Sequence, residues 1–316
     1  MQRLDVCICT HNPRRDVLAK VTRSIASQTA SREAFRVTIV DNCSSPAVTA
    51  RDFQDLLDVG IEFEIVREPI LGLTRARLRA ISVTRGNWIV FVDDDNELAS
   101  DYIAAGFAVL AVEPDLGCFG GKLLLPDSLS PQSWVQPFLP YLGIKDAGDQ
   151  AITSTVDSWG DWEPPGAGAW VRRPLLELYS SRVLAAKVAY RLGRNGTASL
   201  ASCDDSMLMR GAARLRLSAS YQPTLVLRHH LDPRRFRFDY LVRLLYSYGV
   251  SHVVLENVLR GSRRVPDYYR TRRQLVRLCA STLAKHWTNS WRYAICMAVY
   301  HLGAFNECHR RDPDDT

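Results

Sequence analysis

Short apolar runs alternate with amphipathic stretches along the first part of this chain. Residues 4–9, 36–40 and 61–66 read as strands, and the run 87–92, Asn-Trp-Ile-Val-Phe-Val, as a strand buried on both faces. Between them the apolar positions fall at helical spacing. Val17, Leu18, Val21 and Ile25 share one face over 14–27, and shorter helices are expected at 54–57 and 74–84. A helix at 101–112 and a strand within 115–125 follow. Residues 126–165 have no period and many Pro, Gly, Trp and Asp. Beyond them come a strand at 167–172, a mostly helical stretch 173–192, a polar turn region 195–202, a helix 206–214 and a strand 224–228. Past residue 232 the pattern is helical and basic.

Such βαβα alternation predicts an α/β fold: a Rossmann-type, mainly parallel sheet flanked by helices, with right-handed crossovers. The helical, basic remainder is expected as an extension, giving a catalytic region 1–231 and a C-terminal region 232–316. Ligands of parallel sheets sit beyond the carboxyl ends of the strands. Polar residues cluster at four of those ends: Thr10-His11-Asn12, Asp41-Asn42, Arg67-Glu68, and the run from Asp93 to Asn96.

Composition narrows the class. The 316 residues are 47% hydrophobic and 23% charged, ordinary for a soluble globular protein. The net charge of +6 favours anionic substrates or an acidic surface. The eight Cys form no CxxC pair, so reduced thiols in a cytoplasmic protein are expected rather than a zinc site. The start of the chain lacks the apolar core of a signal peptide. No run reaches the roughly 18–20 apolar residues of a membrane span; the nearest, 293–305, is interrupted by His301. Over 236–250, Leu241, Leu244, Leu245 and Tyr248 recur at helical spacing beside Arg235, Arg237 and Arg243. A basic amphipathic helix of this kind either lies on an anionic bilayer, at the inner face of the membrane, or packs on the catalytic region or a dimer partner.

The chemistry begins at Asp93-Asp94-Asp95. Three adjacent carboxylates at a strand edge repel one another, and hard oxygen ligands there suit Mg²⁺ or Mn²⁺, which in turn bind diphosphates. A solvated acidic turn is the plainer alternative. Asp204-Asp205 opens a helix, where acids also complement the dipole. His229-His230 close the strand 224–228, and an imidazole is a Mn²⁺ partner. Trp159, Trp162 and Trp170 surround Gly166-Ala167-Gly168, and aromatic faces stack on sugar rings as readily as they fill cores.

Taken in order, these motifs carry a resemblance. Thr10-His11-Asn12, Val40-Asp41-Asn42-Cys43-Ser44, Gly72-Leu73-Thr74-Arg75-Ala76-Arg77, Asp93-Asp94-Asp95, Gly166-Ala167-Gly168 and Cys203-Asp204-Asp205 make residues 4–230 resemble a family 2 glycosyltransferase of the GT-A fold. Each motif is weak alone, and the ordered set is specific. The resemblance implies an inverting, metal-dependent enzyme moving a sugar from a nucleotide-sugar donor, a UDP-sugar by preference, to a hydroxyl of a glycan or lipid-linked acceptor. The setting it implies is bacterial surface-polysaccharide or glycoconjugate synthesis.

Residue by residue, the resemblance places Thr10, Asn12 and Asp41 on the nucleotide. It puts Arg77, or its neighbour Arg75, on the diphosphate, where a guanidinium fork suits phosphate. Asp93 and Asp95 match the DXD pair: Asp95 on the metal, Asp93 on the ribose or a metal-bound water, with Asp94 against sugar or metal. His229, favoured over His230, is a further metal or phosphate ligand. Asp205 matches the family's base, and Asp204 stands where Glu is usual, one methylene shorter. Trp162, Gly168 and Asp204 are expected toward the acceptor. A nucleotidyltransferase would show a Gly-rich loop after the first strand, and 10–15 has none. A non-catalytic nucleotide-sugar or nucleic-acid binding protein remains as a rival, although no recognised nucleic-acid motif is present.

Overall fold

The computed structural model describes residues 4–196, 199–288 and 290–310. Thr197 and Ala198, in the expected polar turn, lie outside them. In chain order the elements are β1 (Leu4–Thr10), α1 (Arg15–Ala26), β2 (Phe35–Asn42), α2 (Gln54–Asp58), β3 (Phe63–Glu68), α3 (Leu73–Val83), β4 (Trp88–Asp93), β5 (Asn96–Leu98), α4 (Tyr102–Val112) and β6 (Leu116–Leu124). There follow β7 (Ile152–Ser154), β8 (Ala169–Arg172), α5 (Arg173–Ala185), α6 (Asp204–Met209), α7 (Gly211–Arg214), β9 (Ser218–His229), α8 (Phe238–Arg260), α9 (Arg272–His286) and α10 (Trp291–Cys308).

The strands form one nine-stranded sheet in the order β3-β2-β1-β4-β8-β6-β9-β5, with β7 paired to β9. The β3-β2-β1-β4 half is parallel. β8 enters antiparallel between β4 and β6, and β6 runs parallel to β9. The chain lays β2 and β3 on one side of β1, then returns to place β4 on the other. The reversal opens a crevice at the carboxyl ends of β1 and β4, the place where open α/β sheets bind ligands. Register brings three of the polar strand ends level there: Thr10 lies opposite Asp41, and Cys9 opposite Asp93.

Burial follows the apolar pattern. Val17, Leu18, Val21 and Ile25 are all buried on the inner face of α1. Ile89 to Val92 of β4 are buried on both faces of the sheet. Trp170 of β8 is fully buried and stacks on Phe119 at 5.3 Å between ring centroids. It fills the space over Gly106, where an added Cβ would lie 2.1 Å from its ring. Trp170 is therefore core, one of the two roles its sequence context left open.

Other departures have local causes. The residues after Asp95 are not all turn: Asn96–Leu98 form β5, because the end of β9 offers them a partner, Asn96 opposite His229. The aperiodic stretch 126–165 holds the short β7 and a 3₁₀ helix Ser133–Leu142 containing Pro137 and Pro140. The helix expected over 206–214 is two pieces, α6 and α7.

By internal contacts the chain divides into two compact units. One is Met1–Ser130, Gly143–Leu184 and Asp205–Leu231; the other is Pro131–Leu142, Ala185–Asp204 and Asp232–Thr316. Within the second, α8 packs on α10 at glycine: a Cβ on Gly249 would lie 2.0 Å from the Tyr300 carbonyl oxygen, and one on Gly303 2.2 Å from that of Tyr246. Leu241, Leu244 and Leu245 are fully buried inside this unit. These three leucines of the basic amphipathic helix are thus spent on packing. Among the described residues no helix is long and apolar enough to cross a membrane.

Candidate functional site

Loops at the carboxyl edge of the parallel strands bind one another first. Thr10, at the end of β1, donates its hydroxyl to Asp94 at 2.5 Å. Asn12 bridges to the loop after β2: its N–H donates to Ser44 Oγ at 2.9 Å, and its Oδ1 accepts from Ser45 N–H at 2.7 Å. Asp41 is buried, accepting from Ser44 N–H at 3.1 Å and from Val48 N–H at 3.2 Å. Its carboxylate shapes the loop that lies beside the crevice. Asn42 reaches onward, donating to the Glu68 and Ile70 carbonyls and accepting from Gly72 N–H at 2.8 Å, which fixes the entry to α3.

The acidic run is partly buried. Asp95 lies against the end of β9: its carbonyl accepts from His230 N–H at 2.8 Å, and its Oδ1 is 3.3 Å from His229 Nε2. His229 is the histidine that faces the acidic run. His230 turns to Glu97, Nε2 to Oε2 at 2.7 Å, and its carbonyl accepts from Arg14. His229 Nδ1 is buried with no hydrogen-bond partner among the described residues. Asp95 and His229 offer an oxygen and a nitrogen to a borderline-hard cation such as Mn²⁺, a donor set that fits. Among the described residues no group of three or more His, Cys, Asp and Glu gathers to enclose a metal.

Arg77, Gly166 and Asp205 converge. A Cβ on Gly166 would lie 2.9 Å from Arg77 Nη2, 2.8 Å from Asp205 Cβ and 3.1 Å from Asp205 Oδ2. Only a residue without a side chain lets these groups approach. Arg77 is buried, its guanidinium over the Phe91 ring at 5.6 Å, whereas Arg75 is partly exposed. The two-residue spacing on α3 separates them, as helical geometry requires. Asp205 Oδ1 accepts from Ser206 N–H at 3.0 Å.

Gly168 is buried at φ +75°, its carbonyl accepting from Tyr102 at 2.5 Å. Trp162 is partly exposed and Trp159 is 45% exposed. Asp204 is buried, and the boundary between the two units falls between it and Asp205. Sequence pattern gave no sign of Glu163, which meets Ser206 beside Asp205; isolated Glu in an aperiodic loop carries no spacing signal. The second unit holds its own cavity of about 670 Å³, whose lining includes Tyr268, Tyr300, Glu256, Asn257 and Arg260.

Comparisons with known proteins follow this geometry. The model of the family described as "Glycosyl transferase family 2" matches residues 5–177. A comparison with proteins of curated function gave no match. Among solved structures, a mannosyltransferase, PcManGT from Pyrobaculum calidifontis, in complex with GDP-Man and Mn²⁺ is 18% identical at a TM-score of 0.59, over 98% of this chain and 88% of that one. TarS 1-349 from S. aureus in complex with UDP is 14% identical at a TM-score of 0.50, over 96% of this chain and 90% of that one. At these identities the likeness is one of fold.

Proposed function

Because the chain belongs to glycosyl transferase family 2, we propose that it is an inverting transferase, moving a sugar from a nucleoside-diphosphate sugar to a hydroxyl of a glycan or lipid-linked acceptor. A UDP-sugar is the first donor to try. The observation that carries the reading is the convergence of Asp205 and Arg77 about Gly166, in the same unit as the Asp93-Asp94-Asp95 strand end. A carboxylate that can take a proton and a cation that can meet a leaving phosphate are what glycosyl transfer needs together.

In this reading Asp205 Oδ2 takes the proton of the acceptor hydroxyl. The acceptor oxygen forms its bond to the anomeric carbon from the face opposite the diphosphate, and the bond from that carbon to the diphosphate oxygen breaks. Its electron pair leaves with the nucleoside diphosphate, and configuration inverts. Arg77 faces the negative charge that grows on the leaving group. Thr10, Asn12 and Asp41 would wall base and ribose, partly through the loops they order; Asp93 would meet the ribose or a metal-bound water, and Asp94 sugar or metal. Asp95 and His229 would hold Mn²⁺ or Mg²⁺, whose chemistry is to neutralise the diphosphate. The remaining ligands would be diphosphate oxygens and water, as is usual for these cations. The Mn²⁺ and GDP-Man named for the mannosyltransferase, and the UDP named for TarS, support this donor class. The product would feed surface-polysaccharide or other glycoconjugate assembly, on the cytoplasmic side of a membrane.

The test is thermal shift of the purified protein with UDP, GDP, dTDP and CMP, each with and without Mn²⁺, followed by detection of a glycosylated product. A ligand that binds only the folded state raises Tm by mass action. Stabilisation by one nucleotide that needs Mn²⁺ and is lost in Asp95→Ala is expected. No shift with any pair would overturn the donor site.

A further inference from the structure

A carboxyl outside the family's motifs stands behind the proposed base. Ser206 Oγ donates to Glu163 Oε1 at 2.5 Å, and Ser206 N–H donates to Asp205 Oδ1 at 3.0 Å. Resting on the transferase reading, we propose that Glu163 is a positioning residue for Asp205: as a neutral acid it anchors Ser206, which ties down Oδ1 and leaves Oδ2 toward Gly166 and Arg77.

The geometry favours the neutral acid. Glu163 Oε2 is buried and has no hydrogen-bond partner among the described residues, and an ionised oxygen left in that state is costly. Burial pushes the Glu163 carboxyl up to about 7; the Ser206 hydrogen bond opposes the rise, and the charge of Asp205 adds to it. Four titratable groups face it. Asp205 and Arg210 come from α6 and the residue after it, Lys145 from the loop after Gly143, and Cys118 from β6. Arg210 Nε is held by Asp157 at 2.8 Å, and Lys145 Nζ donates to the Glu163 main-chain carbonyl at 2.6 Å. Asp205 needs its charge to accept a proton. A neutral Glu163 spares it a second carboxylate at close range, and an ionised one would not.

The decisive variant is Glu163→Gln, which keeps an oxygen for Ser206 and cannot ionise. Unfolding by denaturant is followed from about pH 5 to about pH 8. The carboxyl is raised in the fold, so its contribution to stability is full below its ordinary value of 4.5 and is lost as pH rises through about 7. In wild type the folding equilibrium should weaken by about tenfold per pH unit within that window, and in Glu163→Gln this loss should vanish. The kcat of transfer should fall in wild type as pH rises through about 7 and stay level in Glu163→Gln, with the donor KM alike in both. Ser206→Ala leaves the carboxyl in place and cuts its link to Asp205; it should lower kcat without raising donor KM, and serves if Glu163→Gln does not fold. Unfolding and kcat profiles that superimpose in wild type and Glu163→Gln would overturn the inference, as would an unchanged kcat in Ser206→Ala. A folded wild type with no transfer at all would instead overturn the reading on which it rests.

Discussion

His229 Nε2 lies 3.3 Å from Asp95 Oδ1, and the next residue, His230, fastens its N–H to the Asp95 carbonyl at 2.8 Å. Side chain and main chain together lock the end of β9 to the acidic run. The pairing of β5 with β9 sets this register, with Asn96 opposite His229. A cation held by this pair would lose one ligand in His229→Ala and keep the other. The Mn²⁺ needed for nucleotide-dependent stabilisation should rise by about 10–100-fold, at least the cost usual for outer-shell partners. His230→Ala should leave that titration near wild type, because its ring is paired with Glu97. Thermal shift against Mn²⁺ at fixed nucleotide reads both. Equal behaviour of the two variants would remove His229 from the metal site.

Asp205 and Gly166 make a second close pair, a Cβ on Gly166 falling 3.1 Å from Asp205 Oδ2. Asp205→Asn keeps shape and removes the charge that takes a proton. It should lower transfer by about 10²–10⁴-fold, the usual worth of general-base catalysis, while nucleotide with Mn²⁺ still raises Tm. Gly166→Ala should behave like it, since the new Cβ would stand 2.8 Å from Asp205 Cβ, an atom tied to the backbone. Product formation is the readout. Full transfer by either variant would remove the pair from the chemistry.

Much of the first unit was legible in sequence because β1 and β4 are mostly apolar and α1 has one apolar face. Val17, Leu18, Val21 and Ile25 named the inner face of α1, and 87–92 named a strand buried on both sides. Polar clusters at strand ends pointed to the crevice because parallel strands deliver their ends to one edge. What periodicity could not show were contacts made by partners far along the chain. β5 exists because β9 runs beside it, Trp170 is core because Gly106 makes room, and Glu163 reaches Asp205 by way of Ser206. The hydroxyl joins Ser206 to Glu163, and the Ser206 N–H joins it to Asp205; none of these contacts leaves a local period. The basic helix over 236–250 was readable as amphipathic, but its covering surface, α10, lies more than forty residues on in the sequence.

Trp170 and Trp162 should separate cleanly. Trp170 is fully buried against Phe119 and Phe107. Trp170→Ala should therefore cost about 3–5 kcal/mol of stability, the range for large aromatic truncation in a core. Whatever folded protein remains should show no selective rise in acceptor KM. Denaturant unfolding measures the first effect and acceptor titration the second. A variant of wild-type stability would contradict the core assignment. Trp162, partly exposed, should show a smaller loss of stability than Trp170 when truncated.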